Sequence, residues 1–387
     1  MIERTILSLS ALVASAVFIP TFAHAVPNPA SAGPADDCRA SLLMDAASGE
    51  VLSEDNGHQS LPPASMVKVM LAYVTLKRLQ EGGLKLEDPV LVSANASKTG
   101  GSQVYLKQNE TFSVGALLEA VLIQSANDAA TALAEHIGGT REGFVDMMNA
   151  EAKALGMNES VFHSPHGLPP AEGQEPDLVS AYDFALLSRA VMSKYPEILK
   201  YTSKTESDFR DGAFKMSNHN HLLRHYQGAD GLKTGYYSQA GFSITATAQR
   251  NGVRMIAIVM GCKDRKNRDA QAARLLSTGI SQFRSVSLLE KGMPVDETVE
   301  IAGGEKPQVI PVAGGPFTAY VKSGEEAKVA RKVNPCAGLQ APVAANTPCG
   351  EVSFFLGERE LGKVPLVIPE DVPTGGIITR IRNRFGI

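Results

Sequence analysis

Three short polar clusters interrupt apolar stretches of this 387-residue chain, and each could supply part of an acyl-transfer site. In Pro62-Pro-Ala-Ser-Met-Val-Lys68, Ser65 and Lys68 are three residues apart, which on a helix puts both on one face, one turn from each other. A lysine in so apolar a run is costly to keep charged, so its amine should titrate low and act as base for the serine hydroxyl. The start of that helix would also offer N–H groups to a developing oxyanion. Ser125-Ala-Asn127 lies between two apolar helical runs, where a tight turn would present a hydroxyl and a carboxamide to a cleft. Asp230-Gly-Leu-Lys-Thr-Gly235 opens a strand, and its glycines do not follow the phosphate-cradling pattern. Lys233 and Thr234 there suit a substrate carboxylate, and Gly235 would let a substrate backbone lie close. Each cluster alone is weak, since a Ser and Lys at this spacing arise by chance and Ser-x-Asn is ordinary turn chemistry. Only the three together are specific.

The elements that must hold these clusters follow from periodicity. From Ser65 to Gln80 the apolar positions are almost continuous, which predicts a helix buried on most sides, stopped by Gly82-Gly83. Further helices are expected over 114–125, 126–138, 140–155, 180–193 and 266–284. Residues 40–52 read as a hairpin, and 241–249 and 253–260 as two strong strands joined at Arg250-Asn-Gly252. The expectation is an α/β unit, a helix cluster on a sheet whose strands come from both ends of the segment. After about Ser285 short alternating strands at 297–301, 317–322, 350–356 and 362–368 predict a smaller all-β C-terminal domain.

Composition narrows the compartment and the partners. Residues 5–19 are apolar, a Pro20 break follows, and Ala23-His-Ala25 ends the stretch, the order of a secretory signal cleaved after Ala25. Residues 26–37 read as a flexible lead-in. A net charge of −4 without a long basic run argues against nucleic acid. The four cysteines, Cys38, Cys262, Cys336 and Cys349, form an even set in an exported chain, and the sequence alone permits three pairings. At the C-terminus, helical spacing gathers Ile377, Ile378, Ile381 and Phe385 on one face beside Arg380 and Arg384, which suits a membrane surface.

Ser-x-x-Lys, Ser-x-Asn and Lys-Thr-Gly in this order resemble the motif set of penicillin-binding proteins and serine β-lactamases. Pro62–Lys68, Ser125–Glu135, Met147–Gly156, Pro165-His-Gly-Leu168 and Asp230–Gly235 look like the low-molecular-mass D-Ala-D-Ala carboxypeptidases, and the β-rich end resembles their C-terminal domain. The resemblance implies a β-lactamase/transpeptidase-like catalytic domain over 38–284, a β domain over 285–370 and an amphipathic tail over 371–387. It implies Ser65 as nucleophile, Lys68 as its base, Ser125 as proton relay and Asn127 as partner of the substrate amide. Lys233 would depress the neighbouring lysine, and Thr234 would help hold the terminal carboxylate. The N–H groups of Ser65 and Tyr236 would form the oxyanion hole, and Arg268 is a candidate carboxylate partner, although Lys263, Arg265 and Lys266 beside it are equally charged. It further implies disulfides Cys38–Cys262 and Cys336–Cys349. The partners implied are a peptidoglycan stem peptide ending in D-Ala-D-Ala and β-lactams, with no cofactor and no metal, at the periplasmic face of the inner membrane. Val67 stands where Thr is common and Tyr236 where some members carry His.

Rival readings have less support. Glu175-Pro-Asp-Leu178 partly matches a class A β-lactamase motif, but Val179 replaces its Asn. His219, His221 and His225 match no zinc spacing and read as polar loop residues. An inactive peptidoglycan-binding protein conflicts with three intact motifs, and endopeptidase action on cross-links would use the same machinery.

Overall fold

The computed structural model describes residues 37–376. The signal segment, nearly all of the lead-in and the amphipathic run from 377 lie outside the described residues. The chain opens with β1 (Ala40–Asp45) and β2 (Val51–Asp55), a single 3-10 turn over Ala64–Val67, and α1 (Lys68–Gln80). Then come β3 (Pro89–Leu91), α2 (Ala94–Lys98), β4 (Thr111–Ser113), α3 (Val114–Ile123), α4 (Asn127–Gly138), α5 (Arg141–Ala154) and α6 (Ala181–Lys194). After α7 (Ile198–Thr202), β5 (Glu206–Phe209), β6 (Phe214–Ser217) and α8 (Leu222–His225) the chain returns as β7 (Ala229–Tyr237), β8 (Gly241–Arg250), β9 (Val253–Cys262) and α9 (Arg265–Ser281).

The antiparallel sheet has the order β2-β1-β9-β8-β7, so strands from both ends of the segment share it, with β7 at its edge. Leu42 of β1 lies opposite Ile258 of β9, and both are fully buried beneath the helix cluster. On the other face Ala246, Met255 and Ala257 meet Ala272 and Leu276 of α9. Side chains sealed this way each stabilise by roughly 1.5–3 kcal/mol. From Lys68 to Leu76 every residue of α1 is buried, because helices and sheet surround it. The expected helix boundaries agree to within a few residues, and Ser113, Thr140, Ser180 and Asp264 each accept a backbone N–H at a helix N-cap. The short hairpins β3/β4 and β5/β6 carry too little alternation to stand out in the sequence.

Beyond α9 come β10 (Phe283–Leu289), β11 (Val299–Ala302), β12 (Gln308–Val309), β13 (Val312–Ala313), β14 (Phe317–Lys322), β15 (Val329–Pro335), β16 (Leu339–Gln340), β17 (Pro348–Leu356) and β18 (Arg359–Val367). They form a β-rich unit with its own core around Val299, Ile301, Val352, Phe354 and Leu366. Lys322 pairs with Glu50 at 2.7 Å, and Arg359 lies 3.6 Å from Asp45, so two ion pairs tie this unit to β1 and its turn.

Cys38 and Cys262 are bonded, which the pairing of β1 with β9 brings about by placing their ends together. The expected Cys336–Cys349 bond is absent, and both are free thiols. They do face each other across β15 and β17, but Cys336 N–H donates to Cys349 O at 2.8 Å. A backbone hydrogen bond brings the two main chains together without requiring the narrow side-chain geometry that a disulfide demands.

Candidate active site

The 3-10 turn over Ala64–Val67 lifts Ser65 to the mouth of the helix cluster, and Ala64 enters it at φ +50°, a left-handed conformation uncommon outside glycine. Two glycines allow that turn to be packed from both sides. A Cβ on Gly235 would lie 2.3 Å from Pro63 O, and one on Gly167, at φ +76°, would lie 2.0 Å from Ala64 O. Gly235 is therefore needed for β7 to approach the nucleophile turn, a packing role that the sequence did not suggest.

Lys68 opens α1 wholly buried, with Nζ 2.9 Å from Ser65 Oγ, 2.7 Å from Asn127 Oδ1 and 2.7 Å from His166 O. Two of these partners can only accept. A neutral amine has two N–H groups for them, and its lone pair is then left for the Ser65 hydroxyl proton. Burial first, then the like charge of Lys233, holds this amine well below its ordinary range, against the opposing pull of Asp177 and Asp128. Asn127 Nδ2 donates to Gly100 O at 2.7 Å, which fixes the carboxamide with its oxygen toward Lys68. Asn127 thus serves the protein at both ends, and one N–H remains for a substrate amide.

Ser125 sits at φ +62° in the turn between α3 and α4, buried at the cleft. Asp128, on the next turn, accepts N–H groups from Val104, Leu106 and Ala129 and so ties the 100–106 loop to α4. Across the cleft, Lys233 and Thr234 are buried in β7, and Tyr236 is exposed, its ring stacked on Phe242. Burial, with Arg268 nearby, pushes the Lys233 amine down to about 7.

Arg268 is 3% exposed, whereas Lys263, Arg265 and Lys266 point outward. The structure thereby separates it from neighbours that sequence could not rank. Burial first, then the charges of Lys233, Arg265 and Arg268, lowers the titration of His219 to about 4, so His219 lies at the rim of the site. Among the described residues no cluster of His, Cys, Asp and Glu could hold a metal ion.

Sequence reasoning missed several groups that position the site. His166 contributes its carbonyl to Lys68, and its own ring, with Nδ1 accepting the Leu168 N–H at 3.1 Å, is held neutral by burial, by Lys68 and by Arg141, at about 3. Asp177 accepts N–H groups of His163 and Ser164 and the Ser164 hydroxyl, and so braces the His166 loop. Glu175, the rival carboxylate, is exposed. The signals for these residues were Pro165-His-Gly-Leu168 among the family-like segments and Asp177 within the Glu175–Leu178 segment read as a partial β-lactamase motif.

A serine bound to a buried lysine at a helix start, facing a Lys-Thr-Gly edge strand over an antiparallel sheet, defines the penicillin-recognising class of serine acyl-enzymes. The D-alanyl-D-alanine carboxypeptidase family matches residues 28–264, and the C-terminal domain of penicillin-binding protein 5 matches residues 283–374. The chain belongs to that carboxypeptidase family and is a serine hydrolase of the low-molecular-mass penicillin-binding kind. It is similar to D-alanyl-D-alanine carboxypeptidase DacF of Bacillus subtilis (strain 168), 32% identical over 91% of this chain and 90% of that one. DacC of Escherichia coli (strain K12) is 34% identical over 90% and 87%. Among solved structures, penicillin binding protein 5 of Haemophilus influenzae has TM-score 0.63 and 30% identity over 88% of this chain and 99% of its own. Penicillin-binding protein D2 of Listeria monocytogenes in its ampicillin-bound form has TM-score 0.58 and 33% identity over 63% and 97%.

Proposed function

We propose that this enzyme removes the terminal D-alanine from peptidoglycan stem peptides through an ester on Ser65, and that β-lactams acylate the same oxygen. The observation that carries the assignment is the wholly buried Lys68 amine, 2.9 Å from Ser65 Oγ and held there by Asn127 Oδ1 and His166 O. As Ser65 Oγ attacks the penultimate D-Ala carbonyl, Lys68 takes its proton, and the N–H groups of Ser65 and Tyr236 receive the oxyanion. Collapse breaks the peptide C–N bond, and Ser125 relays a proton to the departing D-alanine nitrogen. Lys233, Thr234 and Arg268 hold the terminal carboxylate, and the remaining Asn127 N–H holds the substrate amide. Water then cleaves the ester and regenerates Ser65.

The same reading places the chain outside the cytoplasm, exported by residues 1–25 and resting on the inner membrane through its C-terminal tail. No described helix is long and apolar enough to cross a membrane. The catalytic domain is assigned to 38–284 and the β domain to 285–370. Incubation with diacetyl-Lys-D-Ala-D-Ala tests the activity. Repeated release of D-alanine, blocked by penicillin with slow recovery and lost in a folded Ser65→Ala variant, is the expected result. Penicillin hydrolysis over many turnovers without D-alanine release would overturn it.

A further inference from the structure

Arg268 is a buried guanidinium that is only half used. Its Nε and Nη2 donate to Asp269 Oδ1 at 2.8 and 2.6 Å, and Nη1 has no partner among the described residues. The bonded edge is therefore the Nε–Nη2 side, and the Nη1–Nη2 edge is left open near Lys233, whose amine feels its charge. Adjacent residues of a helix do not face each other, so Arg268 must fold back along α9 to meet Asp269. Asp269 Oδ2 lies 3.7 Å from His221 Nδ1, outside hydrogen-bond range, and its side chain is 18% exposed. One carboxylate thus restrains Arg268 and offsets a second cation buried beside Lys233, which would otherwise repel it.

We propose that Asp269 is a positioning residue for substrate-carboxylate recognition, turning the Nη1–Nη2 edge of Arg268 toward the terminal carboxylate of the D-Ala-D-Ala peptide or the carboxylate of a β-lactam. The inference rests on the reading above that Arg268 receives that carboxylate. Asp269 touches no reacting atom, so its removal should weaken discrimination for the carboxylate and spare the chemistry at Ser65.

The test compares acylation of the full chain by benzylpenicillin and by its methyl ester, which lacks the carboxylate, in wild type, Arg268→Ala, Asp269→Ala and Asp269→Asn. In Arg268→Ala the acid-to-ester rate ratio should collapse. In Asp269→Ala it should fall by about tenfold with the ester rate unchanged, as expected for one misaligned charge-assisted pair. Asp269→Asn keeps an acceptor for Nε and Nη2 and should retain most of the ratio. An unaltered ratio in Arg268→Ala would remove Arg268 from carboxylate binding and the proposal with it. A collapsed ratio in Arg268→Ala but not in Asp269→Ala would overturn the positioning role alone. Equal loss of acid and ester rates in Asp269→Ala would assign Asp269 to the fold instead.

Discussion

At the scale of single residues, the site depends on two lysines kept from their ordinary charge by burial. The protonated form of Lys68 cannot accept the Ser65 proton, so acylation should decline as pH falls through its lowered titration. Lys233 helps to lower it, so Lys233→Met should move the acid limb of penicillin acylation to higher pH, whatever it does to the maximal rate. The same variant reads out a second linkage. With Lys233 at about 7 in the fold and near 10.5 when unfolded, the unfolded chain binds the extra proton between those values. Wild-type stability at this position therefore rises with pH over that window, and below it the burial cost is complete. Lys233→Met should accordingly raise the melting temperature at pH 7 by an amount that shrinks toward pH 10. An unmoved acid limb and an unchanged melting temperature would show that Lys233 neither faces Lys68 nor bears a burial cost.

At the scale of elements, catalytic geometry comes from close approach of β7 to the 3-10 turn before α1. That approach exists because position 235 has no side chain, since the atom in the way is the backbone carbonyl of Pro63. Gly235→Ala should force the strand and turn apart, cost about 1–3 kcal/mol of stability from overpacking, and slow acylation further than that loss explains. Denaturant titration beside penicillin acylation rates measures both, and a variant of normal stability and rate would contradict the packing account. The 100–106 loop and the His166 loop are likewise held by carboxylates that accept backbone N–H groups, Asp128 and Asp177. Burial raises the titration of both, so their hydrogen bonds are what keep the charged form in place.

At the scale of the whole molecule, the proposed membrane contact lies in the C-terminal tail. The tail pattern has a small apolar face and few arginines, so its hold should depend on both apolar area and charge. Deleting residues 374–387 should shift the enzyme from the membrane fraction to the soluble one, with activity on small peptides unchanged. Attachment of the full chain should weaken as salt is raised. Equal membrane recovery of the truncated chain would place the attachment at residues 1–25, left uncleaved.

The sequence by itself determined the order of elements, the three motifs and the family they resemble, because helix and strand periodicity and motif spacing are local properties of the chain. It also marked Ser65 and Lys68 as neighbours, since three residues on a helix are one turn. Tertiary structure alone decided what surrounds that pair. The acceptors that hold the Lys68 amine come from positions 59 and 98 residues away, and one of them is a backbone carbonyl that every residue type carries. It also decided that Arg268 among four nearby cations is buried, that Gly235 makes room for the Pro63 carbonyl, and that Cys336 and Cys349 meet at a hydrogen-bonded position without bonding. Each of these depends on which groups share a buried volume once distant strands and helices pack, and periodicity along the chain does not encode that.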